Sequence, residues 1–138
     1  MHSHKPNING TWFERKLAAE QGLSLDILVN DVDHAVRIAV ANQCHGLDQL
    51  LTDIDKDVRI AVAKQGFEEH LRVLMYDKDE TVRRAVAEQG FGLDHLVNDE
   101  SITVLCAVAK HGFGFDSLSK HESLILQFVI NQFNAKNK

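Results

Sequence analysis

The chain has 138 residues, 44% of them hydrophobic and 25% charged, a composition that suits one soluble domain. Lys and Arg total 15 against 20 Asp and Glu, for a formal charge of −5. That balance argues against general binding of nucleic acid or anionic membrane, which would repel the chain unless a basic strip compensated, and no such strip is evident.

The opening decapeptide MHSHKPNING is polar, contains the only proline, Pro6, and lacks both a helical period and the apolar core of a signal peptide. A flexible arm is expected over residues 1–10. His2 and His4 are too few ligands on a loose terminus to make a firm metal site. No apolar run approaches the roughly 18 residues of a membrane helix, so a cytoplasmic setting without membrane association is the expectation.

From Thr11 onward one phrase recurs. It reads DVDHAVRIAVANQCHGLDQL from Asp31, DIDKDVRIAVAKQGFEEHLRVL from Asp53 and DKDETVRRAVAEQGFGLDHL from Asp77, with a weaker copy from Asp99. Thr11, Asp33, Asp55, Asp79, Ser101 and Ser123 recur every 22–24 residues, and all are residue types that cap a helix N-terminus. TWFE at Thr11 also has the form of a capping box. The third and seventh positions after each cap, such as Val36 and Val40, lie one helical turn apart and predict the inward stripe. Gly22, Gly66, Gly90 and Gly112 stand where a helix stop needs a left-handed residue, and Cys44 takes that place once. Too few residues follow for a second full helix, so Leu28, Leu50, Leu74, Leu96 and Leu118 mark a single 3₁₀ or α turn, lengthened before Leu74 by two inserted residues.

The pattern D-x-D-x-x-V-R-x-A-V-A with its short Leu-bearing segment resembles the variant leucine-rich repeat and, more broadly, HEAT-like helical repeats, over about Thr11 to Phe133. The resemblance implies an all-α fold: a right-handed α-solenoid of about six units of 22–24 residues, each an α-helix plus a short turn. It departs from the family in lacking the proline of the inter-helix link, and the cysteine-rich iron–sulfur segment of one such array has no counterpart, so no cofactor is implied. A single repeat domain over 11–133 is expected, with a tail at 134–138. Cys44 and Cys106 occupy different register positions and read as free thiols.

Three columns could carry function. Arg15, Arg37, Arg59 and Arg83 form one, and Asp31, Asp53, Asp77 and Asp99 another that tracks it. Arginine bridges carboxylates bidentately, so a structural ladder is favoured over an anion site. The ladder lapses at Leu105 and Gln127, where apolar contacts are expected instead. The third column varies from repeat to repeat, as positions free to specialise do. Its tentative partner-binding residues are Trp12, His34, Ile38, Lys56, Ile60, Arg84, Ile102, Cys106, Leu124 and Phe128. Gln21, Gln43, Gln65, Gln89 and His111 fall just before each stop and suit bonding to helix-end carbonyls.

There is no phosphate-cradling glycine loop, nucleophile elbow, HExxH or CxxC, so the chain reads as non-enzymatic. A protein-binding module of bacterial or phage origin is the expected function, as an adaptor, regulator or inhibitor. The family resemblance also offers nucleic-acid binding and tetrapyrrole lyase or chaperone activity as alternatives. The last repeat, SLILQFVINQF, is apolar nearly all round and either closes the core as an unusual cap or forms a docking or homodimer surface.

Overall fold

The computed structural model describes residues 5–138. His2 and His4 lie outside the described residues, and so does the start of the proposed arm. Asn7 to Gly10 form a turn, closed by a bond from the Gly10 amide to the Asn7 carbonyl at 3.1 Å.

Every described element is an α-helix. In order they are α1 (Trp12–Glu20), α2 (Leu25–Leu28), α3 (His34–Asn42), α4 (Leu47–Leu50), α5 (Lys56–Lys64), α6 (Glu68–Leu74), α7 (Glu80–Glu88), α8 (Leu93–Leu96), α9 (Ile102–Lys110), α10 (Phe115–Leu118) and α11 (Leu124–Lys136). Longer helices alternate with short ones at the period the caps predict. The short elements are single α turns, and the inserted residues lengthen only α6. The closing helix runs three residues beyond Phe133, through part of the segment expected to be a tail.

Two compact units divide the chain between Gly66 and Phe67, inside the third repeat. In the unit ending at Gly66, α1 packs on α3 and α3 on α5, with α2 and α4 bridging successive long helices. In the unit beginning at Phe67, α7 packs on α9 and α9 on α11 in the same neighbour-to-neighbour manner, with α8 and α10 in the bridging role. Such serial stacking is the packing of a helical repeat, in which each layer buries its apolar side only against the next.

The sequence causes of this stacking are local. Thr11 Oγ1 accepts the Glu14 amide, Ser123 Oγ the Leu126 amide, and Asp33, Asp55 and Asp79 the amide two residues on. Ser101 sits at its cap position without a side-chain cap bond, its hydroxyl turned instead to Thr103 at 2.9 Å. At the other end, Leu23 N donates to Ala18 O at 2.9 Å while Gly22 N donates to Ala19 O, the paired bonds of a Schellman stop.

Burial follows the expected stripe and widens it. Val36, Val40, Val58, Val62, Val82, Val86, Val104 and Val108 are all fully buried. So is a further column, Ala19, Ala41, Ala63, Ala87 and Ala109, at the eighth position. Small side chains there let the long helices lie close together. Leu28, Leu50, Leu74, Leu96 and Leu118, which end the short helices, are buried beneath them.

A second set of left-handed residues opens most of the short helices. Ser24, Gly46, Gly92 and Gly114 have φ between 54° and 74°. A Cβ on Gly46 would stand 2.6 Å from Val29 Cγ2, and one on Gly114 2.4 Å from Val97 Cγ2. Glycine is required at these two places for space as well as for backbone conformation.

Candidate interaction surface

The arginine and aspartate columns meet at repeat boundaries. Arg15 Nε lies 2.7 Å from Asp31 Oδ2 and its Nη2 3.2 Å from Oδ1, a two-pronged contact with the carboxylate of the next repeat. Arg37 meets Asp53 in the same way at 2.8 and 3.0 Å, and Arg83 meets Asp99 at 2.7 and 3.1 Å. The remaining nitrogen turns inward to a local carbonyl: Arg15 to Gly10, Arg37 to Asp31, Arg59 to Asp53 and Arg83 to Asp77. Each aspartate also accepts the amide two residues on, as Asp31 Oδ1 does from Asp33.

The electrostatics reinforce this use. The bond to its aspartate raises Arg15, Arg37 and Arg83 above even the ordinary guanidinium value, against the opposing effect of burial. Burial works to raise the Asp31 carboxyl, but the Arg15 bond, the Asp33 amide and the charges of Arg15 and Arg37 together hold it low. Guanidiniums so engaged are poor sites for a free anion.

The ladder changes chemistry towards the C-terminus. Leu105, at the arginine position, is buried, as expected of an apolar replacement. Gln127 departs from that expectation: its amide donates to the carbonyls of Leu118, Ser119 and His121 at 3.2, 3.0 and 2.9 Å. The polar column before each stop also links neighbours. Gln43 donates to Glu20 O at 3.1 Å, and His111 Nε2 lies 3.2 Å from Glu88 O.

The variable column divides between the two units. In the first, Trp12, His34 and Lys56 are exposed, while Ile38 and Ile60, the expected apolar centre, are only half-exposed. In the second, Arg84 is exposed and forms a helical ion pair with Glu88 at 3.1 Å; Ile102 is half-buried. Leu124 and Phe128 stand open at 84% and 62%. Cys106 departs from the expected face: it is buried, and that burial pushes its thiol pKa up. A partner would not reach it.

Comparison with models of known protein families, with curated proteins and with solved structures found no match. The candidate surface therefore rests on this chain's own geometry.

Two further exposed features stand out, of which the sequence signalled only the second, through the apolar character of the last repeat. Val32 and Ile54 project almost wholly into solvent, at 92% and 93%, each between a bridging and a capping aspartate. Their equivalents in later repeats are Lys78 and Glu100, so the apolar tips belong to the first unit alone. The other feature is a groove of about 380 Å³ along α11, lined by Lys110, Phe128, Val129, Gln132, Phe133 and Lys136. Among the described residues no helix is long and apolar enough to cross a membrane.

Proposed function

We propose that the chain is a non-catalytic protein-interaction module, a helical repeat of the variant leucine-rich or HEAT-like kind that binds a protein partner through repeat-built surface. One observation carries the reading. Most of the repeated polar residues are engaged by the scaffold, in caps, Arg–Asp bridges and helix-end bonds, whereas the residues that differ from repeat to repeat include the exposed Trp12, His34, Lys56, Arg84, Leu124 and Phe128. A surface that varies over a fixed frame is how repeat proteins acquire specificity. Fold alone does not assign function.

In the first unit the face presents Trp12, Ile38 and Ile60 beside Lys16 and Lys56, an apolar patch with a basic edge that suits a protein surface. The formal charge of −5 speaks against nucleic acid as the principal ligand. The test is affinity capture with the wild type and with Ile38→Thr/Ile60→Thr, a change that keeps the β-branched shape while removing apolar contact. Circular dichroism and a melting curve establish that both proteins are folded. A captured protein, once purified, should rebind the wild type and lose affinity for the folded variant. Equal binding by both would remove this face from the proposal, and co-purifying nucleic acid with no protein would overturn the class.

A further inference from the structure

We propose that the groove along α11 docks a short acidic peptide segment with one bulky apolar anchor. The inference rests on the reading of the chain as an interaction module and adds a second site with a partner of defined chemistry.

The groove has a rigid floor. The Phe133 ring packs edge-on against Phe115, with centroids 5.1 Å apart and planes at 81°. It also lies over the backbone at Gly112, where φ is +73° and an added Cβ would come within 2.5 Å of the ring. Glycine at the end of α9 thus admits the ring, and the ring gives the groove a fixed apolar base. A preformed base costs a ligand little ordering on binding. Phe128, 62% exposed, makes the outer wall, and the exposed Leu124 and Ile125 extend the apolar surface along the same helix.

The charge at the groove is the opposite of the chain's. Its only ionisable lining residues are Lys110 and Lys136, both exposed, in a protein of formal charge −5. Among the described residues neither lysine enters an ion pair. Gln132 also lines the groove and can both donate to and accept from a peptide backbone. Apolar floor, amide and two free ammonium groups are complementary to an aromatic or branched side chain flanked by carboxylates.

A second copy of the chain fits less well. Its most exposed apolar tips, Val32 and Ile54, are flanked by aspartates already committed to arginine and to backbone amides. A lipid surface would meet the net negative charge and is flat where the site is concave.

The probe is a library of random dodecapeptides displayed on phage and selected on the immobilised full chain. Selection should enrich sequences with one Phe, Trp, Leu or Ile among several Asp or Glu. The enriched peptide, synthesised with a fluorophore, should lose affinity roughly tenfold or more on Lys110→Glu/Lys136→Glu, in keeping with reversal of two rim charges. It should also weaken on Phe128→Ser, a change at an open position that spares the fold, and as salt is raised. No enrichment, enrichment without an acidic bias, or equal binding by the variants would overturn the proposal. So would concentration-dependent self-association abolished by Phe128→Ser, or binding to phosphatidylserine vesicles abolished by the lysine reversal. Peptides that ignore the lysine variant but are lost from Ile38→Thr/Ile60→Thr would sink this groove while leaving the interaction module standing.

Discussion

The two units handle the same boundary problem with different chemistry. In the first, Arg15 and Arg37 each span to the carboxylate of the following repeat, and each also holds a nearby backbone carbonyl. In the second, Arg83 does so once; then His121 stands where the next aspartate would be, and the position that would face it is Leu105, not arginine. Donor and acceptor columns lapse together. An arginine with no carboxylate to meet would be a partly buried charge without compensation, which costs more than a leucine. Gln127 keeps the local half of the arginine's role, since its bond to the His121 carbonyl spans the same six residues as that of Arg37 to Asp31. The bridge is thus two separable parts, a cap on the local loop and a tie to the next repeat.

The sharpest way to break that comparison is to remove the donors in turn. Arg37→Ala leaves Asp53 partly buried beside a vacated site, with side chains only 13% and 9% exposed in the pair, and should cost about 3 kcal/mol. Gln127→Ala loses neutral bonds to solvent-near carbonyls and should cost about 1 kcal/mol. Urea titration measures each loss, and hydrogen exchange shows which unit opens. Equal losses would mean that the tie to the next repeat adds nothing beyond the local cap.

Next in size are the glycines that open the short helices. Gly46→Ala must tolerate a left-handed backbone and a Cβ at 2.6 Å from Val29, whose branched side chain cannot yield, so about 2 kcal/mol is expected. Gly92→Ala faces the same backbone strain at φ +66°, but its near neighbour is Met75 Sδ at 2.8 Å, the flexible end of a long side chain. It should cost about half as much. Thermal melts of the two variants suffice, and a larger loss for Gly92→Ala would show that steric yield at the neighbour is not what separates them.

The ladder also predicts a pH dependence. Because the folded Asp31 carboxyl is held below its ordinary value, the unfolded chain takes up that proton first as the solution is acidified. Its contribution is present above the usual aspartate pKa and is lost as the pH falls below about 4 towards the lowered folded value. Asp31→Asn, which cannot ionise, should be less stable near neutrality and show a flatter acid limb. Parallel acid limbs in wild type and variant would remove Asp31 from the linkage.

Much of this was legible because helix ends are written locally. Caps at Asp33, Asp55 and Asp79, stops at Gly22, Gly90 and Gly112, and the buried valines each follow from a side chain's relation to its own backbone or its own helical face. What escaped depends on neighbours. The Gly46 and Gly114 positions are set by valines 17 residues earlier, at Val29 and Val97. The burial of Cys106 comes from packing that register alone does not weigh, and the apolar tips at Val32 and Ile54 sit between aspartates that read only as scaffold, one a bridge partner and one a cap. The groove on α11 needs Gly112, Phe115 and Phe133 brought together, although the apolar character of that helix was plain in its sequence.

The smallest effect tests the one stop that lacks glycine. Cys44 has φ +56° where Gly22 has +75°, so it carries left-handed strain that its counterpart avoids. Its thiol lies 3.2 Å from Gln65 Oε1, a weak bond that offsets part of that cost. Cys44→Gly relieves the strain but loses the bond and gives the unfolded chain more freedom, so a net gain of only about 0.5 kcal/mol is expected. Gly22→Ala calibrates it: nothing lies within 4 Å of the new Cβ, so its loss, about 1 kcal/mol, reports backbone strain without a clash. If Cys44→Gly instead destabilises the protein by as much as Gly22→Ala does, the thiol's contact with Gln65 holds two adjacent repeats together more strongly than a sulfur donor should. Cys44→Ser then decides the cause, because a hydroxyl that restores the stability assigns it to that hydrogen bond, and one that does not assigns it to packing of the sulfur.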